Sequence, residues 1–150
     1  PCNMFGKFDH YGNINRSHMI AAAIKKIYDA KLNNKIEVQV WGSGKVRREY
    51  TNAYNVADFV YANLDKIEEF PNYFNLGTNT DFTIKEYYQM IMEIFDLKAN
   101  LVFDKSKPDG IYQKLINTKY PFTLNWTEPK NLKFSLTEAV EYYKNYAQKN

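Results

Sequence analysis

The sequence predicts a small mixed α/β domain in which short strands alternate with amphipathic helices. Three observations carry that expectation. Apolar residues recur at three- and four-residue spacing in several segments, Ile36, Val38 and Val40 alternate with Glu37 and Gln39, and no strand-like run is long enough for a large sheet. The length of 150 residues suffices for one domain with a substantial core, and 45% hydrophobic with 25% charged residues is an ordinary globular balance. No repeat, low-complexity run or Pro/Gly/Ser-rich linker divides the chain.

Ser17 precedes Ile20, Ala23, Ile24, Ile27 and Tyr28, whose spacing predicts a helix over about 18–32. Past Asn33-Asn34, the alternation through Val40 predicts a strand ending at Trp41, and Gly42-Ser43-Gly44 forces a turn before a second short strand over Arg47 to Tyr50. Val56, Phe59, Val60 and Leu64 return to helical spacing from Ala53 to about Ile67, where Pro71 limits continuation. A brief strand is expected at Tyr73 to Leu76. Thr83-x-x-Glu86 is a capping box, because the hydroxyl accepts from an N3 amide while the carboxylate reaches back, and it opens a helix to about Asp96. Leu101, Val102 and Phe103 suggest a buried strand, Lys107-Pro108-Asp109-Gly110 a turn, and the neighbourhood of Lys114 a short helix. Ser135-x-x-Glu138 reads as a second capping box before a terminal helix with Leu136, Ala139, Val140 and Tyr143 on its apolar face.

Composition excludes several classes. Lys plus Arg of 20 against Asp plus Glu of 17 is too balanced and dispersed for a nucleic-acid footprint, and no run of eighteen apolar residues exists to cross a membrane. One cysteine and two histidines make neither a disulfide nor a metal site, which fits a reducing, cytoplasmic setting. The six glycines, at 6, 12, 42, 44, 77 and 110, assemble neither G-x-G-x-x-G nor a Walker loop, and no tyrosine has a lysine four positions on.

The residues that remain support chemistry only loosely. His18, at a helix start, reads as a surface histidine before it reads as a general acid, since a proton donor needs an oriented partner. Lys25 and Lys26 lie about 10–12 Å along the same helix, a span suited to a ligand with a reacting end and an anionic end, or to a solvated face. Trp41 before Gly-Ser-Gly, with Arg47 and Arg48 following, is equally a packed tryptophan beside a hairpin or a platform that stacks a base and clamps phosphate. Asp109 sits on a rigid turn suited to ribose hydroxyls or to structure alone.

Taken in order, PCNMFG, SHMI, VWGSGKVRREY, FNLGTN, VFDKSKPDG and SLTEAVEYY resemble the carboxy-terminal part of the GDP-L-fucose synthase family of extended short-chain dehydrogenases/reductases. The resemblance spans the whole chain. It implies a nucleotide-sugar-binding domain over 1–150, with 1–16 as the tail of an NADP-holding Rossmann domain that is absent. It also implies that Pro1, Cys2, Asn3 and Met4 lie near the nicotinamide end of NADP and that His18 is the acid of epimerisation. Lys26, Trp41, Arg48, Asp109 and, more weakly, Lys114 would contact the GDP-sugar. The expected partners are the GDP-sugar and the Rossmann domain, with self-association of the exposed half.

Two departures from the family pattern stand out. Pro-Asp-Gly continues as Ile111-Tyr112-Gln113 where the family commonly has Thr-Pro-Arg, and Tyr54-Asn55 stands where Asp-Asp is usual. Beside GDP-4-keto-6-deoxy-mannose as substrate, a related GDP-6-deoxy-heptose therefore stays open, as does a stand-alone, non-catalytic nucleotide-sugar-binding module.

Overall fold

Helix α1, Met19–Leu32, is the spine of the molecule. In the computed structural model, which describes residues 1–118, 126 and 131–149, it buries Ile20, Ile24 and Ile27 together with four alanines. The small alanine side chains let α3, Ile84–Ile94, and α4, Leu132–Ala147, approach closely, and the three helices enclose the main core. At the start of α3 both arms of the predicted box are made: Thr83 Oγ1 accepts from the Glu86 N–H at 3.1 Å, and Glu86 Oε2 accepts from the Thr83 N–H at 2.7 Å.

α4 buries Leu136, Ala139, Val140 and Tyr143 as its spacing predicts, but it begins earlier than expected. Asn131 is the cap, its side chain accepting from the Phe134 N–H at 3.0 Å, so Ser135 lies one turn inside the helix and is buried there. The Ser135–Glu138 pair is therefore not a capping box.

The strands form three small sheets among the described residues. β1, Asn3–Phe5, pairs in parallel with β4, Tyr50–Asn52; β2, Glu37–Trp41, pairs in parallel with β6, Asn100–Asp104. β3, Arg47–Arg48, is the centre of the third sheet, antiparallel to β5, Phe82–Thr83, and parallel to β7, Gln113–Lys114. The single strand expected over 47–50 is thus two strands in two sheets, with Glu49 between them. Lys114 lies on a strand rather than a helix, because Arg47 and Arg48 supply a neighbour that local spacing does not reveal. Residues 73–76 join no ladder, although the Leu76 carbonyl accepts from the Cys2 N–H at 2.7 Å. β6 is a half-exposed edge and not a buried strand, with Val102 42% exposed.

The helix expected over 53–67 is α2, Ala53–Ala62, followed by a 3-10 turn over Leu64–Glu69. Asn63 ends α2 by turning its side-chain amide onto the Phe59 carbonyl at 2.8 Å, a local bond that competes with further helix. Beneath α2 lies a second, smaller apolar cluster of Phe59, Leu76 and Trp126, anchored where the indole N–H donates to the Gly77 carbonyl at 2.7 Å.

Candidate functional site

The end of β2 and the turn after β6 meet in one place. Gly42 and Gly44 both adopt left-handed backbone, at φ 77° and 72°, so the chain reverses directly after Trp41. Gly42 is doubly required, since a Cβ there would collide with the Asp109 carboxylate. That carboxylate accepts the Ser43 N–H at 2.6 Å, which latches the 107–110 turn onto the glycine turn. Bonding to the Ser43 backbone, then to its side chain, holds Asp109 below the usual carboxylate range.

Trp41 stays 39% exposed between two cations: Lys26 Nζ lies 4.7 Å and Lys107 Nζ 5.4 Å from the ring centroid. Lys26 also donates to the Gln39 carbonyl at 3.2 Å, and burial pushes its ammonium below the ordinary lysine range despite the pull of Asp104. Lys25, one residue earlier, is spent differently, on Asp29 at 2.8 Å.

On the other side of the Asp109 turn stands Arg48. Its Nη2 reaches the Asp109 carbonyl at 3.5 Å and its Nη1 donates to the Arg47 carbonyl at 2.7 Å. Lys114 is the direct β7 neighbour of Arg48. Lys26, Trp41, Asp109, Arg48 and Lys114 therefore form one continuous strip, with Lys107 added to it. An exposed indole beside Lys26 and Lys107, with Arg48 and Lys114 beyond the Asp109 turn, suits a flat base followed by a diphosphate.

His18 caps the start of α1 without a side-chain cap bond, and its exposed imidazole has no hydrogen-bond partner among the described residues. It stands between Ser17 and Met19, which line a cleft of about 180 Å3 shared with Lys26, Val40 and Trp41. His18 itself is not among the residues that line that cleft; it caps the helix that carries Lys26 about two turns on.

Pro1 to Met4 form the lip of β1, where Cys2 and Asn3 are bonded within this chain while Pro1 and Met4 stay exposed. The Asn3 amide donates to the Glu49 carbonyl at 3.1 Å, and the Cys2 thiol is pushed up to about 12, first by burial and then by the Glu49 charge. With no glycine cradle beside them, these four residues do not make a dinucleotide site by themselves.

The model of the NAD dependent epimerase/dehydratase family matches residues 1–77, just over half the chain. The chain belongs to that family. Among curated members, a GDP-L-colitose synthase of Yersinia pseudotuberculosis is 39% identical over 145 residues, and a putative GDP-L-fucose synthase 2 of Arabidopsis thaliana is 35% identical over 150. These matches take in 97% and 99% of this chain but only 47% and 45% of the relatives. The chain spans about half the length of the curated relatives it matches. Among solved structures, a GDP-L-fucose synthetase of Naegleria fowleri bound to NADP superposes with a TM-score of 0.84 at 25% identity, over 97% of this chain and 46% of that one.

This epimerase/dehydratase chain holds three site-shaping residues that sequence reasoning missed. Lys107 had a visible signal, since it opens the same Pro-Asp-Gly turn as Asp109. Glu49 and Asp81 had none, because both act across long sequence separations. Glu49, 1% exposed, accepts from the N–H groups of Thr78 at 2.5 Å, Asn79 at 2.8 Å and Ile116 at 3.0 Å, so one buried carboxylate holds two loops.

Proposed function

We propose that this chain is the nucleotide-sugar-binding part of a GDP-L-fucose synthase-like, NADP-dependent epimerase/reductase acting in the cytoplasm on GDP-4-keto-6-deoxy-mannose. The observation that carries the reading is the strip joined by the Asp109 turn. Trp41 and Lys26 receive the guanosine end, while Arg48 and Lys114, side by side on β3 and β7, neutralise the diphosphate. His18, at the N-cap of the helix that carries Lys26, is the proton donor at the sugar end, and the epimerisation needs such a donor beside a ketone.

NADP belongs in this proposal to the half of the relatives' length that this chain does not span, with Pro1 to Met4 meeting its nicotinamide end. Two features support a covering partner on that side. β1 and β4, three residues each, pair only with each other among the described residues, whereas parallel strands ordinarily sit inside larger sheets covered on both faces. α2, directly after β4, leaves Tyr54, Val60 and Tyr61 exposed.

GDP titration tests the reading. Trp41 is one of two tryptophans and the other, Trp126, is 3% exposed, so saturable quenching or enhancement of indole emission reports the strip. Arg48→Ala is expected to weaken GDP by about 1.5–3 kcal/mol, the scale of a charge-assisted bond. Absence of saturable binding at millimolar GDP overturns the assignment of the strip.

A further inference from the structure

The cations of the strip are held in register by strands of two residues each, and a ladder that short fixes register poorly. A slip of one residue on β7 would turn Lys114 to the face opposite Arg48. Beyond the strands the backbone adds bonds that each join only two segments: the Arg47 N–H donates to the Tyr112 carbonyl at 2.7 Å, and the Ile84 and Lys85 N–H groups donate to the Val46 and Gly44 carbonyls, each at 3.0 Å.

What crosses all three strands is one carboxylate. Asp81, 9% exposed at the start of β5, accepts from Arg47 Nε at 2.8 Å through Oδ1 and from Gln113 Nε2 at 2.6 Å through Oδ2. Arg47 Nη2 closes the fork onto the Asp81 backbone carbonyl at 2.8 Å. Arg47 and Gln113 are direct neighbours in the register, as are Arg48 and Lys114 one step on. Because side chains alternate along a strand, the residues gripped by Asp81 lie on one face and the cation pair on the other.

We propose that Asp81 is a positioning residue for the anionic ligand: by gripping Arg47 and Gln113 it sets the register that stands Arg48 beside Lys114. The inference rests on the nucleotide reading of the strip. It also gives the departure at Gln113 a role, since a neutral amide in that place donates to Asp81 while leaving the carboxylate's charge to Arg47.

The test is GDP affinity of the 150-residue chain carrying Asp81→Asn, alone and combined with Arg48→Ala. Asp81→Asn is expected to weaken GDP about tenfold in the unsubstituted background and less than threefold once Arg48 is gone, because the loss runs through Arg48. A general loosening of the fold predicts the same factor in both backgrounds and overturns the proposal, as does a change under twofold in the first. Gln113→Ala, at an exposed position that removes one arm only, is expected to cost about threefold and serves if Asp81→Asn does not fold; no change there is equally decisive against the grip. If the unsubstituted chain binds no GDP, the strip reading falls and this proposal with it. If it binds GDP and ignores both Asp81→Asn and Gln113→Ala, only the positioning role falls.

Discussion

Helices α1 and α2 both carry apolar residues at helical spacing, yet α1 buries seven residues and α2 buries one, Phe59. Both follow the same local rule, and the difference is made elsewhere. α1 is enclosed by α3, α4 and β2, whereas α2 touches β4 and the 3-10 turn and presents Tyr54, Val60 and Tyr61 outward. An apolar stripe states that a face needs cover. It does not state that the same chain provides it.

The largest test of that contrast is a pair of truncations. Ile24, fully buried in α1, should cost about 3 kcal/mol as Ile24→Ala, because the lost transfer energy adds to a cavity that three packed helices cannot collapse. Tyr61, 80% exposed on α2, should cost under about 0.5 kcal/mol as Tyr61→Ala. Urea melts of the two variants measure both. Comparable losses would mean that α2 is as well packed as α1 and that the contrast is false.

The elements legible in the sequence are those whose cause is local. α1, β2, the Thr83 box and the turn at 107–110 each follow from neighbours within a few residues. β1, β7 and the division at Glu49 do not, since strands of two or three residues exist only through partners about 30 to 70 positions away, and their register is decided by tertiary bonds. Ser135–Glu138 shows the converse failure: a genuine capping pattern loses because Asn131 starts the helix a turn earlier. For the site, residue spacing alone left Trp41 and Asp109 open between structure and ligand. The same held for Lys26 and Arg48; the resemblance resolved all four toward a ligand and alone added Lys114, while the carboxylates that hold the loops in place stayed invisible.

A smaller effect separates the site side from the open face by pH. Glu86 is held below its ordinary 4.5, chiefly by the Thr83 N–H and then by the Thr83 hydroxyl. A carboxyl depressed in the folded state adds stability that is present above that ordinary value and lost as pH falls through its folded value. Thr83→Ala should therefore cost about 1 kcal/mol near neutrality, and less in acid, where protonated Glu86 no longer gains from the hydroxyl. Thermal melts from pH 7 down to pH 3 give the comparison. A penalty that grows in acid would contradict the capping assignment. α2 has no acidic residue in its first turn, so substitutions there should show no such pH dependence.

The smallest effect on stability belongs to the open face, and its signature is association instead. Met4, Tyr54, Val60 and Tyr61 are each at least 41% exposed and lie along β1 and α2, beside a shallow cavity that Met4, Phe5, Phe8 and Tyr54 line. Apolar area gathered on one face in this way promotes contact with a second molecule. The chain by itself is therefore expected to self-associate, with a sedimentation coefficient that rises with concentration. Val60→Lys combined with Tyr61→Lys should flatten that rise while moving the melting midpoint little, because neither side chain is enclosed. The same double substitution should leave GDP binding unchanged, since the strip around Trp41 and Arg48 is built from β2, β3, β7 and the 107–110 turn. A concentration-independent monomer before substitution would show that the face is not adhesive. A large fall in stability after it would show that α2 is packed after all, and either result removes the ground for treating this face as the one a partner covers.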